Sequence, residues 1–557
     1  MKVESAAFPG EGPRRQAVKC RIVPVVLAVV LFLLAGGAPS SRAKVSRIKI
    51  EKRQPVLAGK PFGKVGPYEC LSGTVYFAFD PANPMNSRIV DLQLAPRGRD
   101  GLVHAWGNFV VLKPVHRVRG AVALVEVSNR GGKFSLRYFN RATARRLNPG
   151  SSASFGDGLL MEQGITIVWV GWQFDVPERP GALRLHVPRA GMPDGSPVYG
   201  LVRADWVIEK PAQVLQVSHR GHIPYPAADP RDPANVLTVR DGREAPRRVV
   251  PRRAWRFARL VDGKPVPDST HIYLPSGFEP GKIYELVYRA KDPAVVGLGL
   301  AVIRDIISYA KYDSSCPFPV QYGIAAGVSQ TGRFLRHFLY QGFNTDEAAR
   351  KAYDGLMIIT AGAGRGSFNH RFAQPSRDAH RFSAFFYPTD IFPFTSRVQM
   401  DSLQWRSDGL LAHFMFPEHV PKIFYVNTGY EYWGRAGALI HLSPGGRKDV
   451  PPLPNERIYH LASGQHFVGR FPPPPGARRG RWRVYRGNPL NFSVNYRALL
   501  LRLIGWVKSG FEPPPSKYPK ISGGTLVPVS RVRFPNIPGL DFPRVVHVAY
   551  RADYGPR

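Results

Sequence analysis

Residues 323–337 read GIAAGVSQTGRFLRH, and the change of character at Ser329 decides the fold class. Ahead of the serine lies FPVQYGIAAG, a short run holding Val320, Tyr322, Ile324 and several small residues. Behind it, Phe334, Leu335, Phe338 and Leu339 recur at the spacing of one helix face. A strand that gives way to a helix at a lone serine projects that side chain from a tight turn. The first amides of the helix then point toward it.

The same rhythm extends on both sides. KIYELVYRA (282–290) reads as a strand and DPAVVGLGLAVIRDIISYAKY (292–312) as an amphipathic helix. GLMIITAGAG (355–364), KIFYVNTGYEYW (422–433) and RIYHLASGQH (457–466) read as further strands, and RALLLRLIGWVKSG (497–510) closes as a helix. Strands that alternate with helices and are almost wholly apolar predict a mainly parallel sheet covered on both faces. The expected class is α/β. Toward the N-terminus, GAVALVEVSNRGGKF (120–134) and GITIVWVGWQFDV (164–176) are two more buried-looking strands. Residues 44–118 hold short alternating runs broken by turns and are expected to form a β-rich N-terminal region. Residues 119–557 are then the α/β domain. Within it, the stretch of about 177–280, rich in Pro, Arg and Asp, is expected to be a β-rich insertion or cap.

The chain has 557 residues, 44% of them hydrophobic and 11% aromatic, which allows a large packed core. Its 55 Gly and 54 Pro favour turns and long loops. Arg14, Arg15, Lys19 and Arg21 precede fourteen apolar residues, Ile22 to Ala35, and Ser41-Arg42-Ala43 offers a cleavage point before Lys44. That order predicts an export signal over 1–43 and a periplasmic or secreted protein, with an uncleaved N-terminal anchor as the alternative. Without residues 1–43, which hold six Lys/Arg and two Asp/Glu, the formal charge is +33 rather than +37. Such a surface favours an anionic envelope polymer or lipid surface. Its arginines match no nucleic-acid module, so no specific nucleic acid is expected. Cys70 and Cys316 either pair or stay as two separate buried thiols.

A serine hydroxyl becomes a nucleophile when a base takes its proton, and the base needs an orienting carboxylate. In doubly wound sheets reactive groups collect at the carboxyl ends of the strands. Glu431 follows KIFYVNTGY and His466 follows RIYHLASGQ, which puts acid and histidine after the serine at successive strand ends. Ser329 would attack a carbonyl, His466 would act as base and then acid, and Glu431 would hold the imidazole. Asp390 is the rival acid; His370, His380, His441 and His460 are the rival bases. The backbone amide of Gln330 is one expected oxyanion donor, and the turn Asn129-Arg130-Gly131-Gly132 offers the second through Gly131 or Gly132. Aromatic residues, Phe368, Phe372, Tyr432 and Trp433, are expected near the substrate, with Phe372 and Trp433 as contacts. His219 and His222 lack a matched set of partners, and GLG at 297–299 lacks a phosphate-binding lysine. No metal and no cofactor is expected.

GVSQTGRFLRHFLYQGFN, the YDG before GLMIITAGAG, RGSFNHRF, TGYEYWGRAGALIH, ASGQHF, DPAVVGLGLAVIRD and SNRGG together resemble a bacterial, exported family of α/β-hydrolase-domain proteins. The resemblance spans about 280–510 and implies an α/β-hydrolase fold with Ser329, Glu431 and His466 as its triad. Thr331 stands where a second small residue is common in the family, and Phe467 where glycine is common. The expected activity is hydrolysis of a small-molecule carboxylic ester through an acyl-enzyme on Ser329; amide hydrolysis and acyl transfer use the same groups. The alternative from another class is a protein that holds an envelope polyanion on a catalytically weak hydrolase scaffold.

Overall fold

In the computed structural model, which describes residues 45–379, 390–469, 471–472 and 487–549, nine strands follow one another across a single sheet. They are β1 (Val45–Pro55), β2 (Tyr68–Phe79), β3 (Val103–Pro114), β4 (Val122–Val127), β5 (Thr166–Val170), β6 (Tyr322–Val328), β7 (Gly355–Ile359), β8 (Lys422–Thr428) and β9 (Glu456–Leu461). Their order is β1-β2-β3-β5-β4-β6-β7-β8-β9, and a two-residue strand, Leu185–His186, adds to β3. From β5 to β9 every neighbouring pair is parallel, whereas β1, β2 and β3 join in antiparallel register. The expected export signal over 1–43 lies outside the described residues.

Burial explains the parallel part. Every residue of β4, β5 and β7 is buried, because helices cover the sheet on both sides. Alternate residues of β4 enter opposite cores: Ala123, Val125 and Val127 one, Val122 and Leu124 the other. The first core receives α2 (Leu298–Tyr312) and α3 (Gln330–Tyr340); the second receives α1 (Ser135–Phe139) and α5 (Ser493–Ser509). Cys70 lines the second core and Cys316 the first, so the two thiols lie on opposite faces and both are free. The disulfide raised as one alternative is not made. Burial pushes the Cys70 thiol up to about 11 and the Cys316 thiol up to about 12.

Two expected boundaries move. Residues 44–118 are not set apart from the α/β sheet: β3 pairs with β5 from Phe109↔Val170 to Leu112↔Ile167, and β1 and β2 extend that edge. The strand within KIYELVYRA, Ile283–Lys291, is no strand of the main sheet either. It lies between Tyr199–Val207 and Val236–Arg240, antiparallel to both. Its outer half alternates, with Val287, Arg289 and Lys291 exposed, as fits a sheet with one face toward water. The inserted β-module thus reaches Lys291, beyond the expected limit near 280. It has its own core around Trp206, Leu237, Trp255, Ile272 and Leu286.

One polar side chain lies in the middle of this apolar frame. Glu126 of β4 accepts N–H bonds from Phe134 (2.6 Å) and Ser135 (2.7 Å) and from the Trp169 indole (2.5 Å), tying the start of α1 to the sheet. Burial pushes its carboxyl up to about 7, against those donors that hold it down. Glu126→Gln replaces one acceptor oxygen by an NH2 group that faces a donor. It is expected to destabilise the fold by about 2 kcal/mol in urea unfolding, the cost of a buried unpaired group. An unchanged midpoint would refute the capping role.

Candidate active site

Four chain segments meet at the carboxyl edge of the parallel strands: the ends of β4, β6, β8 and β9. β6 hydrogen-bonds to β4 on one side and to β7 on the other, and after β4 the chain has crossed to the far side, to β5. Ligand crevices of open α/β sheets form at such a reversal of strand order.

Ser329 follows β6 and precedes α3 with φ 60° and ψ −112°, a left-handed backbone that a non-glycine residue holds only under tertiary constraint. The glycines around it explain how the turn closes. A Cβ on Gly327 would lie 2.3 Å from the Thr331 carbonyl oxygen, and one on Gly332 would lie 2.7 Å from that of Ile359. Thr331 needs no such space, because its hydroxyl braces the turn. It accepts from the Val328 N–H (2.9 Å) and donates to the Val328 carbonyl (3.1 Å). The residue that departs from the family pattern therefore has a place in the elbow itself.

His466 Nε2 lies 2.8 Å from Ser329 Oγ, and its Nδ1 lies 2.6 Å from Glu431 Oε1. Glu431 is fully buried in the first turn of α4 (Gly429–Gly434). Its second oxygen accepts from the Thr428 N–H (2.8 Å) and hydroxyl (2.5 Å). The spacing of Thr428 and Glu431 is that of a capping box, so the device that starts the helix also aims the free carboxylate oxygen at the imidazole. Burial would raise the Glu431 pKa, but the bond to His466, its charge and the two Thr428 donors hold it below the usual carboxylate range. The ordered relay can move a proton from Ser329 to His466 while Glu431 fixes the ring.

The expected oxyanion donors divide. Gln330 opens α3, where a backbone N–H has no acceptor inside the helix. The turn after β4 leans on the elbow through Asn129, whose amide donates to the Val328 carbonyl at 3.0 Å. Gly131 takes φ 77° there, and an added Cβ would sit 2.9 Å from Val176 Cγ1. The amide of Gly132 already donates to the Asn129 carbonyl at 2.9 Å, which closes the turn and takes Gly132 out of the donor set.

The expected aromatic contacts each have partners within the protein. Phe372 is buried in the core of the inserted module, edge-on to Tyr225 at 5.2 Å. Trp433 packs edge-on against Phe542 at 5.5 Å, and its carbonyl accepts the His547 N–H. Phe368 sits in the core against Trp172 and Phe334, and the Tyr432 hydroxyl lies 2.9 Å from His441 Nε2. The rings that flank the reactive histidine are Tyr430 and Phe467, with centroids 5.2 and 4.5 Å from it. Only their adjacency to Glu431 and His466 in sequence could have pointed to them. Asp390, the rival acid, is buried against His547 Nε2 at 2.8 Å. His370 bonds the Ser367 hydroxyl at 3.0 Å, and His460 packs on Tyr432. His380 lies outside the described residues.

Residues 270–539 match the model of a family described as the alpha/beta hydrolase domain. The chain carries an alpha/beta hydrolase domain over that span. No curated protein and no solved structure matches it. The match begins inside the inserted module and takes in β6–β9, so all three members of the Ser329–His466–Glu431 relay fall within it. The turn after β4, which bonds the elbow through Asn129, lies upstream of the matched span. The hydrolase shows no group of three or more His, Cys, Asp or Glu fit to hold a metal ion among its described residues.

Proposed function

We propose that this hydrolase cleaves carboxylic esters through an acyl-enzyme on Ser329. The reading rests above all on the relay of 2.8 and 2.6 Å from Ser329 Oγ through His466 to a buried Glu431. Ser329 Oγ attacks the ester carbonyl as its proton passes to His466 Nε2, and the carbonyl oxygen takes up negative charge. The Gln330 and Gly131 amides are the proposed donors to that oxyanion, each worth about 3 kcal/mol in such a role. Collapse of the tetrahedral species expels the alcohol, which leaves with the proton from His466. Water, deprotonated by the same nitrogen, then releases the acid and restores Ser329. Tyr430 and Phe467 beside the imidazole favour an apolar group on the ester. The same proposal places the protein outside the cytoplasm, on the strength of the basic-apolar-small order in residues 1–43.

A fluorophosphonate is the direct test of an activated serine. Intact mass and peptide mapping are expected to show one adduct, on Ser329, absent from Ser329→Ala and slowed in His466→Ala. A folded sample that takes up no label would overturn the proposal.

A further inference from the structure

Residues 397–409 form a hairpin that is inside out. Gln399–Asp401 pairs antiparallel with Arg406–Asp408, joined by Ser402–Trp405. In an ordinary surface hairpin the apolar side of the alternation faces the protein. Here the polar side does. Asp401 is 0% exposed, and buried Asp408 binds the Tyr340 hydroxyl at 2.9 Å and its neighbour Arg406. Gln399 reaches the Leu442 carbonyl at 3.3 Å, and Arg397 the Pro451 carbonyl at 2.8 Å. The apolar side faces water: Val398 and Met400 are exposed on the first arm, and Leu403 is 72% and Trp405 84% exposed at the tip.

The base of the hairpin is basic. Arg397 is exposed, Arg406 partly so, and the 442–451 segment to which the hairpin is bonded carries exposed Arg447 and Lys448. The acidic residues of the region are turned inward or engaged: Asp401 and Asp408 are buried, and Asp449 accepts the Ile521 and Ser522 amides. An apolar tip of Trp, Leu, Met and Val inside a cationic collar complements the boundary between acyl chains and anionic headgroups.

We propose that this hairpin docks the protein on an anionic phospholipid surface, with Leu403 and Trp405 inserted and the arginines and Lys448 against the phosphates. The anchoring on Tyr340, the last residue of α3, puts the docking point at the opposite end of that helix from Ser329. Eleven residues at 1.5 Å make that separation about 16 Å. Docking therefore leaves the relay untouched, and the two can be tested apart.

The test is quenching of Trp405 fluorescence by brominated acyl chains, read on the full chain as the difference between wild type and Trp405→Phe. With phosphatidylglycerol in phosphatidylcholine vesicles, wild type is expected to show quenching that Trp405→Phe lacks and that raised salt reduces. Leu403→Asp is expected to weaken this signal about tenfold while turnover of a soluble ester stays at the wild-type rate. Equal quenching in wild type and Trp405→Phe would overturn the proposal, since any lipid contact would then lie elsewhere. A concentration-dependent dimer in light scattering, lost in Leu403→Asp, would overturn it in favour of a second copy as the occupant.

Discussion

Ser329→Ala and His466→Ala are each expected to lower kcat on a soluble ester by about a million-fold, and the double variant no further. The reason is geometric. With Ser329 Oγ and His466 Nε2 only 2.8 Å apart, either substitution removes the single proton transfer that both groups serve. Residual turnover then comes from binding and the oxyanion amides, which neither variant disturbs. Steady-state and single-turnover rates on one chromogenic ester, with matched thermal unfolding of all four proteins, carry the measurement. Losses that multiply in the double variant would mean that the two residues act in separate steps, and the proposed chemistry would fall.

Glu431→Gln is expected to cost about ten-thousand-fold in kcat through the wrong imidazole tautomer. Glu431 Oε1 accepts from His466 Nδ1, which leaves Nε2 bare to receive the serine proton. A glutamine satisfies either Thr428 or His466 with its oxygen and turns its NH2 on the other. The same substitution has a signature in stability. The Glu431 carboxyl sits below its ordinary range in the folded protein, so the native state binds fewer protons there than the unfolded chain. Its contribution is full at pH above the ordinary glutamate value of about 4.5 and is lost as pH falls through the folded value. Urea midpoints measured from neutral pH downward should fall more steeply for wild type than for Glu431→Gln. Parallel curves would mean that the carboxylate is not held ionised by His466.

The serine was legible because small residues on one side and a helical stripe on the other leave a single place for a turn. The acid and histidine were legible because each directly follows an apolar run, and parallel strands end on one edge. Sheet membership was not. An apolar run such as that within 282–290 has the same composition in a central parallel strand as in an antiparallel insert, and only its neighbours, Tyr199–Val207 and Val236–Arg240, decide between them. Nor could composition tell a ring at a site from a ring in a core: Phe372 and Trp433 are buried or packed by segments far away in sequence, Tyr225 and Phe542. Asp390 shows the same limit, since its partner His547 lies 157 positions on. Thr428, by contrast, stood at capping-box spacing from Glu431 throughout, a local signal that names the orienting contact before any fold is known.

The seat of His547 bears on how the protein is made. Its N–H binds the Trp433 carbonyl and its ring binds buried Asp390, so the segment after Glu431 acquires these contacts from a stretch synthesised well after it. A nascent chain that has not yet reached His547 has Ser329 and its strands in hand but lacks this clasp beside the acid. Synthesis runs from the N-terminus, and a unit completes when its final element emerges. The Glu431 side of the relay thus gains its full support only once His547 has been made, and a chain cut short of His547 would leave Asp390 buried without that partner.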